Sequence, residues 1–231
     1  MEYLLTAITD AFGLILSLDP EVFTITLLSL RVAGTATVLA AVTGIPLAYL
    51  VATRDFRGKS ALITVFNTLM ALPTVVVGLF CYSFLSRKGP LGFLDLLFTP
   101  SGIILGDIIL AFPLIVGLTI AAVNAVDPRA RITAMSLGAS PRLVSLTILI
   151  EARFGLMAAL FNGFGRVVAE VGSAMMLGGN IRGYTRTITT AIALETSKGE
   201  FALGMALGII LLTLALMVNF TFRRLQMTSQ R

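Results

Sequence analysis

Arg166 and Glu170 stand four residues apart inside a long apolar stretch that runs GRVVAEVGSAMML from Gly165. On a helix that spacing places both side chains on one face. An arginine at the bilayer centre costs about 2.5 to 3.5 kcal/mol on insertion scales, so ionisable residues at such depth face a bundle interior or a watery cavity. The chemistry on offer is ion handling: the pair could line a route for a charged solute, or neutralise itself and pin two helices. Bond-making chemistry has little to work with. Histidine is absent, which excludes histidine ligation of a metal and a Ser-His-Asp triad within this chain. Cys81 is the single cysteine, so no intrachain disulfide or cysteine-based metal site can form. No catalytic residue, metal ligand or cofactor of the chain's own is expected.

Small residues recur beyond the pair at Gly172, Ser173, Gly178 and Gly179, followed by Asn180, Gly183 and a run of threonines. That composition favours close packing and a non-helical break. Irregular backbone at membrane depth is tolerated only where protein or water satisfies it, so Gly178, Gly179 and Asn180 are candidate gate residues or pathway lining. Arg182 and Arg186, just beyond, would raise the local concentration of an anion. Pro73 and Pro113 fall mid-way along two other apolar stretches and predict helix kinks there. Gly204 and Gly208 form a GxxxG spacing.

The elements that must position these residues are membrane helices. The chain of 231 residues is 57% hydrophobic and 13% charged with a mean hydropathy of +0.96, against about 25% charged in soluble domains. Five stretches reach the roughly 20 residues that a hydrocarbon core demands: Phe23 to Ala52, Ala61 to Phe84, Ile103 to Val123, Phe154 to Leu177 and Phe201 to Phe222. Continuous apolar runs exclude alternating barrel strands. The expected fold is an all-α polytopic membrane protein forming one domain, 1–231. Residues 1–21 lack the basic start of a secretory signal and predict a short interfacial or elbow helix, with a sixth span as the alternative.

Basic residues orient the spans, because short loops rich in Lys and Arg stay on the cytoplasmic side. Arg54, Arg57 and Lys59 follow the first span; Arg129, Arg131, Arg142 and Arg153 lie between the third and fourth; Arg223, Arg224 and Arg231 follow the fifth. The other side receives Arg87, Lys88, Arg182, Arg186 and Lys198, with the acidic Glu2, Asp10, Asp19 and Glu21. The N-terminus is therefore expected outside and the C-terminus inside. This distribution accounts for the formal charge of +5 without a nucleic-acid partner. Gly58-Lys59-Ser60 looks like the end of a phosphate loop, but the first glycine of that motif would fall at Thr53, so it is a basic turn.

The inner loop 124–153 is patterned as two short helices. Asp127-Pro128 opens one, Leu137-Gly138 ends it, and Ser140-Pro141 opens the next. Such a protrusion could be gripped by a soluble partner, or be an ordinary surface hairpin.

This loop resembles the cytoplasmic EAA loop of ABC importer permeases. Gly138 takes the family glycine and Ala134 the second alanine. Ala139 and Ser140 continue the pattern, and Ile148 and Ile150 take the later apolar positions. Ile132 replaces the usual glutamate, Thr133 the first alanine and Glu151 the proline. The stretches AEVG, GGNIRGYTR and TTAIALE resemble the oxyanion branch, the molybdate, tungstate and sulfate importers, and most of all the tungstate-type permeases. The resemblance implies the type I permease fold, with coupling residues Ala134, Leu137, Gly138, Ala139, Ser140 and Arg142 on an ATPase-docking helix. The residues themselves, by charge, burial cost and small-residue composition, give Arg166, Glu170, Ser173, Gly178, Gly179, Asn180, Arg182 and Arg186 as candidate pathway or gate residues, with 178–200 as the outer gate segment. The resemblance implies alternating-access import of an oxyanion, most like tungstate, across a prokaryotic inner membrane. The implied partners are a second copy, two ATPase subunits carrying ATP and Mg²⁺, an extracytoplasmic binding protein and lipid. The alternatives are a molybdate or sulfate permease and a stand-alone secondary transporter that uses Arg166 and Glu170 as a proton relay.

Overall fold

The computed structural model describes residues 2–228; Met1 and Arg231 lie outside them, as does the side chain of Glu2. Among the described residues eleven α-helices follow one another, with no strand. They are α1 (Glu2–Leu16), α2 (Pro20–Thr53), α3 (Lys59–Leu69), α4 (Thr74–Leu85), α5 (Pro100–Asn124), α6 (Pro128–Ser136), α7 (Pro141–Glu151), α8 (Arg153–Val168), α9 (Gly172–Gly178), α10 (Ile188–Lys198) and α11 (Phe201–Thr228).

Three of these are long and apolar enough to cross a bilayer unbroken: α2 with 34 residues, α5 with 25 and α11 over 201–224. Two further pairs qualify only as broken spans, α3 with α4 at a bend of 99° and α7 with α8 at 66°. The N-terminal α1 has 15 residues, about 22 Å of helix, which falls short of a hydrocarbon core of about 30 Å. It packs instead along α11.

Caps explain where the helices start. Asp19 accepts from the amides of Glu21 and Val22 ahead of Pro20, and Thr99 accepts from Gly102 ahead of Pro100. Both use a side-chain oxygen at the N-cap with proline in the first turn, the pattern that satisfies orphan N–H groups at no hydrogen-bond cost. The centre of the bundle is α5, against which α2, α3, α8 and α9 pack. Its contact with α2 is close because α2 presents Ala33, Ala36, Ala40, Ala41, Gly44 and Ala48 as a buried small-residue stripe.

Two expected spans are corrected. The second is not one helix kinked at Pro73: α3 ends at Leu69, and Pro73 is the N-cap of α4, in extended conformation with ψ 128°. A residue preceding proline is pushed away from helical geometry, so the chain turns there rather than bending gently. The fourth does not run through to Leu177. Helix α8 stops at Val168, and α9 resumes only at Gly172. Pro113, in contrast, lies inside an uninterrupted α5, as Pro46 does in α2.

The two interruptions meet, since α4 packs on α9. A Cβ on Gly78 would sit 2.9 Å from both Ser173 Cα and Met176 Sδ. Gly78→Val should therefore push α4 off α9 and destabilise the protein by about 1–3 kcal/mol, the range for overpacking. Gly208→Ala, with open space around it, should be neutral. Thermal unfolding in detergent compares the two.

Candidate functional site

Arg166 does not pair with Glu170. The helix ends two residues after Arg166, which breaks the i, i+4 geometry, and the arginine Nη2 donates instead to the backbone carbonyl of Leu72 at 3.2 Å. That carbonyl lies in the α3–α4 interruption, so the guanidinium satisfies backbone left bare at the break. Glu170 turns the other way. Its Oε1 accepts from the Ser173 amide at 2.8 Å, at the N-terminus of α9, and its own carbonyl accepts from the Thr189 hydroxyl.

Glu170 borders a small buried chamber with Asp107 of α5, Ser29 of α2, Thr187 and Thr189. Asp107 is 2% exposed and one of its oxygens has no hydrogen-bond partner; the Ser173 hydroxyl is likewise buried without one. The non-helical segment after α9 is bonded residue by residue. Gly179 and Asn180 both take positive φ, 69° and 50°. Thr185 donates to the Gly178 carbonyl and accepts from the Ile181 amide, and the Asn180 side-chain amide donates to the Thr190 carbonyl at 3.2 Å. The amide of Ile188, first residue of α10, donates to Ser29 Oγ at 2.8 Å.

Arg182 and Arg186 are not free to gather anions. Arg182 pairs with Glu21 at the start of α2, which by hydrogen bond and by charge holds its guanidinium above the ordinary value. Arg186, with its side chain 10% exposed, lies 3.3 Å from Glu21 and 3.6 Å from Glu195, and Glu195 also meets Lys198 at 3.0 Å. These charges form a latch that ties the loop after α9 to the N-terminal end of α2 and the C-terminal end of α10.

At the other end, α6 and α7 form the expected helix–glycine–helix hairpin. Gly138 has φ +76°, a left-handed turn open to glycine without strain. Asp127 and Ser140 cap the two helices ahead of their prolines. Val144 and Ile148 bury against Val51, Ala52 and Val123 at the C-terminal ends of α2 and α5. The rest of the hairpin presents apolar side chains outward: Ile132 is 62% exposed and Leu137 82%. Ala134, Leu137, Gly138, Ala139 and Ser140 line one cleft of about 570 Å³, and Arg142 stands exposed beside it.

Sequence reasoning missed Asp107, Glu21 and Glu195. Asp107 carried a usable signal, being an ionisable residue within the third span. Glu195 stands three residues before Lys198, a helical spacing that could have suggested their pairing. Glu21 carried none, because its partners Arg182 and Arg186 lie 161 and 165 residues away. Among the described residues, no cluster of three or more His, Cys, Asp or Glu could hold a metal ion.

Broken membrane helices around a central α5, with a capped hairpin on α6 and α7, form a fold shared with ABC transporter permeases. The fold agrees with that of a chain of the MetNI methionine ABC transporter, with a TM-score of 0.65 at 16% identity, covering 91% of this chain and 95% of that one. The chain matches no family model. It is 44% identical over 200 residues, 84% of this chain and 86% of the relative, to a probable anion ABC transporter permease of Haloferax volcanii. It is 39% identical over 226 residues, 98% and 99% of the two chains, to the tungstate uptake system permease TupB of Peptoclostridium acidaminophilum. The chain belongs to the family of oxyanion ABC transporter permeases, multi-pass proteins of the inner membrane.

The latch is testable directly. Glu21→Gln removes the charge that both arginines meet and should speed amide hydrogen exchange over 181–190 several-fold, with exchange in α5 unchanged. Unaltered exchange over 181–190 would remove the latch.

Proposed function

We propose that this chain is the permease subunit of a tungstate importer, working as a homodimer with two ATPase subunits and an extracytoplasmic binding protein. The observation that carries the reading is the similarity to a tungstate uptake permease, which runs over 98% of the chain and spans both the α6–α7 hairpin and the α8–α10 segment. ATP and Mg²⁺ belong to the ATPase subunits, and this chain supplies the route and the docking surface.

A tetrahedral dianion cannot cross hydrocarbon, because bare burial of one charge costs tens of kcal/mol in a Born estimate. The broken helices supply what hydrocarbon lacks, polar backbone and side chains at membrane depth. In this reading Ala134, Leu137, Gly138, Ala139, Ser140 and Arg142 face the ATPase. Arg166 lines the pathway. Gly178, Gly179 and Asn180, braced by Ser173 and Glu170 and held by the latch of Arg182 and Arg186, form the outer gate. The basic residues Arg54, Arg57 and Lys59 lie at the same end as the hairpin, which supports a cytoplasmic C-terminal side and an outside N-terminus. Selectivity among oxyanions rests with the binding protein, since tight binding on the route would slow release.

ATP hydrolysis by the reconstituted complex, titrated separately with tungstate, molybdate and sulfate, should be stimulated by tungstate at the lowest concentration. Stimulation first by molybdate or sulfate would reassign the substrate. Gly138→Val forces a β-branched residue into a left-handed turn, a cost of about 1–3 kcal/mol. It should leave the permease inserted but retain the ATPase poorly in affinity capture; full retention would detach Gly138 from coupling.

A further inference from the structure

Helices α4 and α11 turn mostly apolar faces outward. On α4 the exposed residues include Val75, Leu79 and Phe80, and on α11 Leu212, Leu216, Met217 and Phe220. Helix α8 differs. Its exposed positions include Asn162 and Gly165, with Ala169 just past its end and Arg166 half-buried beside them. This face forms one wall of a groove of about 650 Å³ against α11, whose wall contributes Asn219 and otherwise apolar side chains. A guanidinium has five N–H donors. The contact with Leu72 uses one of them, at Nη2, so the remainder of the fork stays available toward the groove. Asn162 and Asn219 each spend one amide N–H on the carbonyl four residues earlier and keep the other.

We infer that Arg166 and Asn162 form half of an oxyanion site, and that the other half is the same pair from a second copy across a two-fold axis. Charge and geometry support this site, which rests on the import function proposed above. One arginine neutralises half of a dianion. Two related by a two-fold axis neutralise all of it, and that axis needs no new residues because an isologous interface repeats the same patch. Planar forks from opposite sides suit tetrahedral oxygens, as arginine–phosphate pairing does. The small Gly165 and Ala169 leave room for the second copy to approach. The site sits where Arg166 also stitches the α3–α4 break, so an anion that draws on the guanidinium acts on that break.

The test uses the assembled transporter with Cys81→Ala and Ala169→Cys, at an exposed groove position beside the two proposed ligands, so that the introduced cysteine is the permease's sole thiol. A short bismaleimide should link the two copies through this position, and tungstate should slow maleimide labelling several-fold. Arg166→Gln in that background should raise the tungstate concentration for half-protection by roughly tenfold or more. If that variant fails to assemble, Arg166→Lys, which keeps the charge but loses the planar fork, should show a smaller shift in the same direction. Absence of the cross-link would overturn the two-copy arrangement, and a cross-link that tungstate does not protect would overturn the anion site. Tungstate stimulation of ATP hydrolysis, measured in the same preparation, separates the cases. If stimulation is intact while protection is missing, only this inference fails; if stimulation is absent, the proposed substrate fails with it.

Discussion

Every backbone N–H and C=O at membrane depth must find a partner inside the protein, because hydrocarbon offers none. That constraint organises this permease. Its chain leaves helical geometry between α3 and α4, between α8 and α9, and again between α9 and α10. At each place a side chain serves the bared backbone. Arg166 donates to Leu72, Glu170 accepts from Ser173, Thr189 donates to Glu170, Thr185 donates to Gly178, and Ser29 accepts from Ile188. Polar side chains of an otherwise apolar protein thus gather where the helices break, and the breaks gather where α2, α4, α5 and α10 converge.

Charge is used in two distinct ways as a result. At one end of the bundle, Arg182 and Arg186 are matched by Glu21 and Glu195, and the matched set fastens a loop. Within the bundle, Arg166 meets a dipole rather than a countercharge, which leaves it with net charge to offer. A paired arginine holds structure; an arginine held by a carbonyl keeps its field. The same sequence signal, an arginine near a membrane segment, therefore stands for opposite roles a few residues apart.

The hairpin and the broken helices are mechanically continuous. Helix α7 is anchored by Val144 and Ile148 and leads through Ala152 directly into α8, the helix that carries Asn162 and Arg166. Tilting the hairpin must therefore move the start of α8, because a packed helix transmits displacement along its length rather than absorbing it. Within the import function proposed here, that is a direct line from the inner surface to the arginine at the α3–α4 break.

The all-α membrane class, the number of apolar segments and the hairpin at Gly138 were legible in the sequence. Each depends on local properties: the length of an apolar run, a capping oxygen ahead of a proline, a glycine where φ turns positive. The interruption near Pro73 was legible as a disturbance, but its size, 99°, was not. Composition says that a helix is weakened, while the direction in which it turns depends on what packs against it. The Arg166–Glu170 pairing suggested by spacing assumed a helix continuing through Ala169, whereas α8 ends at Val168. Leu72, 94 residues from Arg166 in sequence, could not be named in advance as its partner, nor could Glu21 for Arg182. Local sequence determines which groups need partners; only the tertiary arrangement decides which groups arrive, because hydrogen bonds and ion pairs act over a few ångströms and chain order sets no such distance.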